Sequence, residues 1–269
     1  MERREKDLSS FSKSNVRGGM AGLKSVMYFS DKSKVVATRS KNGEIDVKVI
    51  PLKDSKINHI SSVITEIPFI RGVWSLIGGP FSVSWKFSVI LLSLLGINLI
   101  ILFFYLQVKS PKLIETTFIY GNYYHYHILF LFGFLLAYSL FIKFTELGKY
   151  HGAEHMVDNA YEASNNLSIL NVEKYSRVHS SCGTNLFVFI ILFYMTFSFI
   201  SDNITINLLL SFIFGYEVYI IKNQVINKVL KPFYSIGSFL QKYLFTSKPE
   251  EKHIKVAIAA YEKIISEQK

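Results

Sequence analysis

A chain of 269 residues that is 50% hydrophobic and 15% aromatic, with a mean hydropathy of +0.27, is too apolar for an ordinary soluble domain of its length. Thirty Lys and Arg against twenty Asp and Glu leave a net charge of +10, but the excess is segregated along the chain, which argues against a nucleic-acid binder. The single cysteine, Cys182, excludes an intramolecular disulfide.

Residues 1–15 are charged and serine-rich and are expected to be disordered. The next region, 16–85, contains Val35-Val36-Ala37-Thr38 and Ile45-Asp46-Val47-Lys48-Val49-Ile50 on either side of Asn42-Gly43. That pair favours a type I′ turn, so a small β-hairpin is predicted. Pro68 to Ile77, bounded by Gly78-Gly79-Pro80, is too short to span a bilayer and carries Trp74 and Arg71. It fits a helix lying in a membrane interface, or equally one packed on a cytosolic domain.

Four apolar runs follow within 86–221: Lys86–Gln107, Tyr126–Thr145, Thr184–Ile200 and Ile204–Ile221. A hydrocarbon core of about 30 Å needs about 20 mostly apolar residues, with roughly 17 as the lower bound. The reading is four transmembrane helices, the last two joined through Ser201-Asp202-Asn203 as a hairpin. The first run begins only at Lys86, so no signal peptide is expected. Fourteen Lys and Arg fall in residues 1–85 and nine after Ile221, against Lys109 and Lys112 alone between the first two runs. The positive-inside rule then places both termini in the cytoplasm. The expected fold is a mainly α-helical polytopic protein of the bacterial inner membrane, with a cytoplasmic region carrying the β-hairpin. A cytoplasmic motif loop spans 146–183 and a cytoplasmic helical tail spans 222–269. The expected partners are the lipid bilayer and a membrane-associated substrate or protein, and not nucleic acid.

The motif loop holds Tyr150-His151-Gly152-Ala153-Glu154-His155, directly after an apolar run. A helix is predicted from Lys149 to Ser164, continuing the second span and ended by Asn165-Asn166, with a short helix capped by Ser168 or Asn171 and running through Tyr175. At about 100° per residue, His151, Glu154, His155, Asp158 and Glu162 share one face of the longer helix. Neutral imidazoles four residues apart can share one divalent cation, and an adjacent carboxylate can be a ligand, a supporting group or a general base. The spelling H-x-x-E-H also matches an inverted zinc-protease signature, but nothing else in the chain resembles those enzymes. A second cluster, Arg177-Val178-His179-Ser180-Ser181-Cys182-Gly183-Thr184, brings His179 and Cys182 three apart. Two histidines with a His/Cys pair suit tetrahedral Zn²⁺. His59, His125, His127 and His253 read as ordinary surface or core residues. Glu217 in the fourth run is either functional or paired with Lys222, Lys143 or Arg177. After Lys248-Pro249, residues Glu250 to Glu267 carry Ile254, Ala257, Ile258, Tyr261, Ile264 and Ile265 at the spacing of an amphipathic helix.

These motifs, with Arg17-Gly18-Gly19-Met20-Ala21, Pro68-Phe69-Ile70-Arg71-Gly72, Ala160-Tyr161-Glu162, Val172 to His179, Gly215-Tyr216-Glu217 and the tail through Val256-Ala257-Ile258-Ala259-Ala260, resemble the bacterial YqhQ-like membrane proteins, a family of unknown function. The resemblance covers most of the chain and implies a metal-dependent enzyme. It departs at Lys24 to Phe29, which lacks the family's Gly-Val-Met-Met-Arg-Gly string, at Phe245-Thr246-Ser247-Lys248-Pro249, and at Ser180, where the family has proline. The expected activity is a metal-dependent hydrolase with Glu154 as catalytic base and His151, His155, His179, Cys182 and Glu162 as metal ligands. Asp158, Arg177 and Glu217 are further site residues. The alternatives are a scaffold with a structural metal site and, third, a small transporter.

Overall fold

The computed structural model describes residues 16–52, 63–83, 93, 133, 136–201, 203–221 and 223–268. They divide into two compact units: one from residues 16–52, 139–188 and 224–268, the other from the described residues between 63 and 138 together with 189–223.

The first unit is built on an antiparallel meander of β1 (Gly18–Ala21), β2 (Ser25–Phe29), β3 (Ser33–Arg39) and β4 (Ile45–Pro51), paired in that order. Period-two alternation sends Val26, Tyr28, Val35 and Ala37 to one buried face, with Val47 and Val49 partly covered beside them. Asn42 and Gly43 do lie in the β3–β4 connection, but the turn is not type I′. The Gly43 N–H donates to Ser40 O, the Ser40 N–H donates to Glu44 O, and of the two residues only Gly43 has a positive φ, +92°. A type I turn followed by a left-handed glycine satisfies the strand twist with one more residue.

Two helices cover that face. They are α2 (Glu146–Ser164) and α7 (Glu251–Ser266), numbered after α1 (Ile70–Val83) of the second unit. From α7, Ile254, Val256, Ala257, Ala260, Tyr261 and Ile264 are buried; from α2, Tyr150, Ala153, Val157 and Ala160. The Tyr28 and Tyr261 rings meet edge to face at 4.8 Å, a geometry that adds about 0.5–1.5 kcal/mol beyond area burial. Asn165, with a left-handed φ of +51°, ends α2 where the Asn-Asn pair predicted it. Upstream, α2 does not continue the preceding helical residues 136–144: Thr145 is extended and breaks the chain between them. The short α3 (Ile169–Val172) is a single turn, shorter than expected.

In the order of the chain come α4 (Gly183–Ser198), α5 (Ile204–Tyr219) and α6 (Gln224–Leu240), the last continuing into one π-helical turn, Gln241–Phe245. Within the second unit, Gly72 of α1 meets the Ile213 backbone of α5, and Gly215 of α5 meets the Ile190 backbone of α4. The α1 helix runs through Gly78-Gly79-Pro80 rather than stopping there.

Among the described residues no helix is long and apolar enough to cross a membrane. The helices in the third and fourth apolar runs have 16 residues each. At about 1.5 Å per residue that is about 24 Å, short of a core of about 30 Å. The first run, Lys86–Gln107, lies outside the described residues except for Ser93, as do residues 126–132, 134 and 135 of the second, residues 1–15, and His59, His125 and His127. The polytopic membrane fold, its transmembrane character and the inner-membrane localisation are therefore corrected to an α+β arrangement of a four-stranded sheet with helices. The physical reason is that an apolar run is not one helix. The Asn203 side chain accepts from the Ile206 N–H and caps α5, and Asn207 donates to Ser201 O, so the runs end in polar turns. Much of their aromatic content is used on itself, with Phe193, Phe197 and Phe214 rings 5.5–6.0 Å apart.

Candidate metal centre

His151 and His155 lie one turn apart on α2 with ring centroids 4.4 Å apart. Each is fixed through Nδ1. His151 pairs with Phe245 O at 2.9 Å and His155 with Arg177 O at 2.8 Å. A carbonyl only accepts, so both Nδ1 atoms carry the proton and both Nε2 atoms present a lone pair. Cys182, buried at the entry to α4, places Sγ 3.7 Å from His151 Nε2, and one donor atom from each of the three residues lies within 4.8 Å of the others. With metal–ligand distances of about 2.0–2.3 Å, two donors on a tetrahedral ion are about 3.6 Å apart. The 3.7 Å between Cys182 Sγ and His151 Nε2 is close to that span.

The electrostatics agree. Burial draws both imidazoles below their ordinary values, which keeps them neutral, as ligands must be. Burial pushes the Cys182 thiol up, but hydrogen bonding to His155 and to Thr184, 3.4 Å away, outweighs it and leaves the thiol below its usual range.

The other expected ligands fall elsewhere. His179 is buried beside Asp158 and Glu162, its Nε2 3.6 Å from Glu162 Oε1, a loose ion pair rather than a hydrogen bond. Its ring centroid is 5.8 Å from that of His155, and it does not join the three converging donors. Burial lowers its basicity, but the Glu162 and Asp158 carboxylates raise it by more. Glu162 is exposed and held below its usual range by His179. Asp158 is buried and pushed up to about 7 by that burial. Glu154 is buried against β1 and β2: its carboxyl occupies the space a Cβ on Gly19 would need, and the Tyr28 hydroxyl donates to its main-chain oxygen at 3.1 Å. Burial first, then Asp158 and Cys182, raise its carboxyl well above the ordinary range. Arg177 contributes its carbonyl to His155 and its guanidinium to Lys242 O. Glu217 is in the second unit, and its partner there is Arg71 rather than Lys222, Lys143 or Arg177.

The segment 241–246 was read from the sequence only as part of a tail. It supplies Phe245 O to His151 and the Gln241 side chain to the His179 N–H. Gly148 and Gly152, four apart on the motif helix, are the signal that bears on it. The Gly148 carbonyl accepts from the Ser247 N–H, and a Cβ on Gly152 would strike the Ser247 carbonyl.

Residues 81–267 match a family described as a protein of unknown function, DUF1385. The chain belongs to the DUF1385 family. Over a 299-residue alignment it is 26% identical to the uncharacterised protein YqhQ of Bacillus subtilis (strain 168), covering 92% of each chain. No solved structure matches. The matched segment of this DUF1385 chain holds all three converging donors.

A second group of metal-capable side chains, Glu146, Glu250 and His253, has a structural explanation. The Glu250 N–H donates to His253 Nδ1 at 3.0 Å, so the ring proton sits on Nε2 and is donated to Glu146 at 2.7 Å. This is a capping box at the start of α7, with Lys149 and Lys252 balancing the carboxylates.

Proposed function

We propose that the protein is a metal-dependent hydrolase whose divalent ion, zinc by its donor set, is held by His151, His155 and Cys182. The observation that carries this is the pair of Nδ1–H···O=C anchors, which leave two imidazole lone pairs facing a buried, acidified thiol. Three protein donors leave a fourth position open, the arrangement of a catalytic rather than a closed site. Bound there, the ion supplies Lewis acidity to a substrate oxygen. Glu154 is the acid–base group: it neighbours Cys182, and burial raises its proton affinity well above that of an ordinary carboxylate. Phe245 O and Arg177 O hold the two rings, and Tyr28 fixes the α2 backbone at Glu154.

A second reading is a structural site. The donors and their supports come from α2, the 177–182 loop and the π turn, segments far apart in sequence that an ion would tie together. Metal analysis of protein purified without chelator is expected to give about one zinc per chain, and His151→Ala and Cys182→Ala should each abolish it. A wild-type content near zero sinks both readings. Glu154→Gln separates them: a hydrolase keeps its zinc and loses turnover of an ester panel, whereas a purely structural site has no turnover to lose.

A further inference from the structure

Among the described residues, Lys143 and Arg177 are cations without an anion. Elsewhere in the described residues Arg71 meets Glu217, and Lys149 meets Glu146 and Glu250. Among those residues neither Lys143 nor Arg177 forms an ion pair. Instead both bond the main chain of the π turn. Arg177 Nη2 donates to Lys242 O at 3.1 Å, and Lys143 Nζ donates to Thr246 O at 2.8 Å and toward Lys242 O at 3.4 Å. Two like charges on one short segment repel, and burial together with Arg177 lowers the Lys143 pKa.

Beside them are buried donors without acceptors. Gln241 is fully buried, and its Oε1 accepts from the His179 N–H at 2.9 Å, which leaves its Nε2 unpartnered. Arg177 Nε is likewise buried and unpartnered. Capping of a helix end by cations accounts for the bonds to Lys242 O and Thr246 O. It does not account for a buried amide NH₂ and a guanidinium N–H left unmade, each of which costs about 1–3 kcal/mol. Donors only, with two positive charges, select an oxyanion. The acidic groups of α2 do not cancel this charge, because Asp158 and Glu162 face His179. The position matters as well: the Arg177 carbonyl orients His155, and Phe245, between Lys242 and Thr246, orients His151.

We infer that Lys143, Arg177 and Gln241 form an oxyanion site next to the metal donors, and that the substrate of this centre is a phosphate ester. Two cations match a phosphate dianion better than a singly charged carboxylate, and guanidinium suits phosphate oxygens. The catalytic part rests on the hydrolase reading; the binding part does not. The test is calorimetric titration of the full-length protein, zinc-loaded and chelator-treated, with inorganic phosphate and with acetate. Phosphate is expected to bind in both states and acetate at least about tenfold more weakly, the scale of one charge-assisted contact. Lys143→Met and Arg177→Gln should each weaken phosphate about tenfold at unchanged zinc content and circular dichroism, with Arg177→Lys restoring part of it. Phosphate binding that is unchanged in both charge-removing variants, or acetate binding as tight as phosphate, overturns the site. His151→Ala should lose zinc and keep phosphate; loss of phosphate there would place the anion on the metal and overturn the inference. A wild type without zinc that still binds phosphate through Lys143 supports the oxyanion site while removing the hydrolase reading.

Discussion

Phe69 holds a φ of +67°, a left-handed backbone that a bulky residue adopts only when its surroundings impose it. Glu217 is what imposes it. Its carboxylate accepts from the Phe69 N–H at 2.8 Å and from Arg71 Nε at 2.9 Å and Nη2 at 2.5 Å, while the Phe69 ring packs on Phe214 at 5.2 Å. The hydrogen bonds from Arg71 hold the Glu217 carboxyl below the ordinary range against the opposing effect of burial. Around the ordinary carboxyl pKa the folded state therefore binds fewer protons than the unfolded chain. The stabilisation is complete above that value and is lost as pH falls through the depressed one. Glu217→Gln should cost about 1.5–3 kcal/mol at neutral pH, the range for hydrogen bonds to a charged group. Unfolding followed by tryptophan fluorescence, with Trp74 in α1, should show the gap between wild type and variant closing as pH falls below the ordinary carboxyl pKa of 4.5. A gap that stays constant with pH would show that Glu217 acts by shape alone. At this scale His151, His155 and Cys182 were legible, because spacing on a helix and donor chemistry are local properties. His179 and Glu162 pair with each other apart from those three donors, because where a loop histidine reaches depends on contacts the spacing does not encode. Arg71 was missed as the partner of Glu217 because the two are 146 residues apart.

Between elements, the close approach of α2 and the segment after the π turn decides where His151 points. The Ser247 N–H donates to Gly148 O at 2.8 Å, and the Ser247 carbonyl lies where a side chain at Gly152 would be. The obstacle there is main chain, so it cannot swing aside as a side chain would. Gly152→Ala must push 245–247 away from α2 and carry Phe245 O off His151 Nδ1. Groups that orient metal-bound histidines typically contribute about 10- to 100-fold in metal affinity. Gly152→Ala is therefore expected to weaken zinc binding by at least about tenfold, measured by competition with a chromogenic chelator, without removing any ligand. Unchanged affinity would mean that the Phe245 contact does not orient the ring. The ends of α2 and α7 were readable from Asn165 and from Lys248-Pro249, since chain breakers act where they stand. The π turn was not, because Pro232 inside α6 and the absence of a stop signal before Gln241 obscure where that helix ends.

For the whole molecule, the first unit is assembled from three separate stretches of chain, and the candidate metal centre joins two of them. Apolar composition pointed to spans because it reports that residues avoid water, not what they pack against. The sheet and its cover of α2 and α7 were only partly visible, as one hairpin and one amphipathic helix, because pairing β1 and β2 depends on contacts with helices more than a hundred residues later. An ion that binds only the folded arrangement stabilises it by mass action, by about 2.7 kcal/mol at a hundredfold excess over Kd. Its removal is felt where the donors converge, so chelation should loosen the tie among α2, 177–182 and 241–246 and leave α1 and α5, which hold no donor, as they were. Hydrogen exchange on the full-length protein, with and without chelator, should show faster exchange at 177–182 and 241–246, smaller changes in α2 and no change at α1 or α5. Equal acceleration in both units would mean that the ion, if bound, is not held at His151, His155 and Cys182. Acceleration confined to the start of α7 would instead assign it to Glu146, Glu250 and His253.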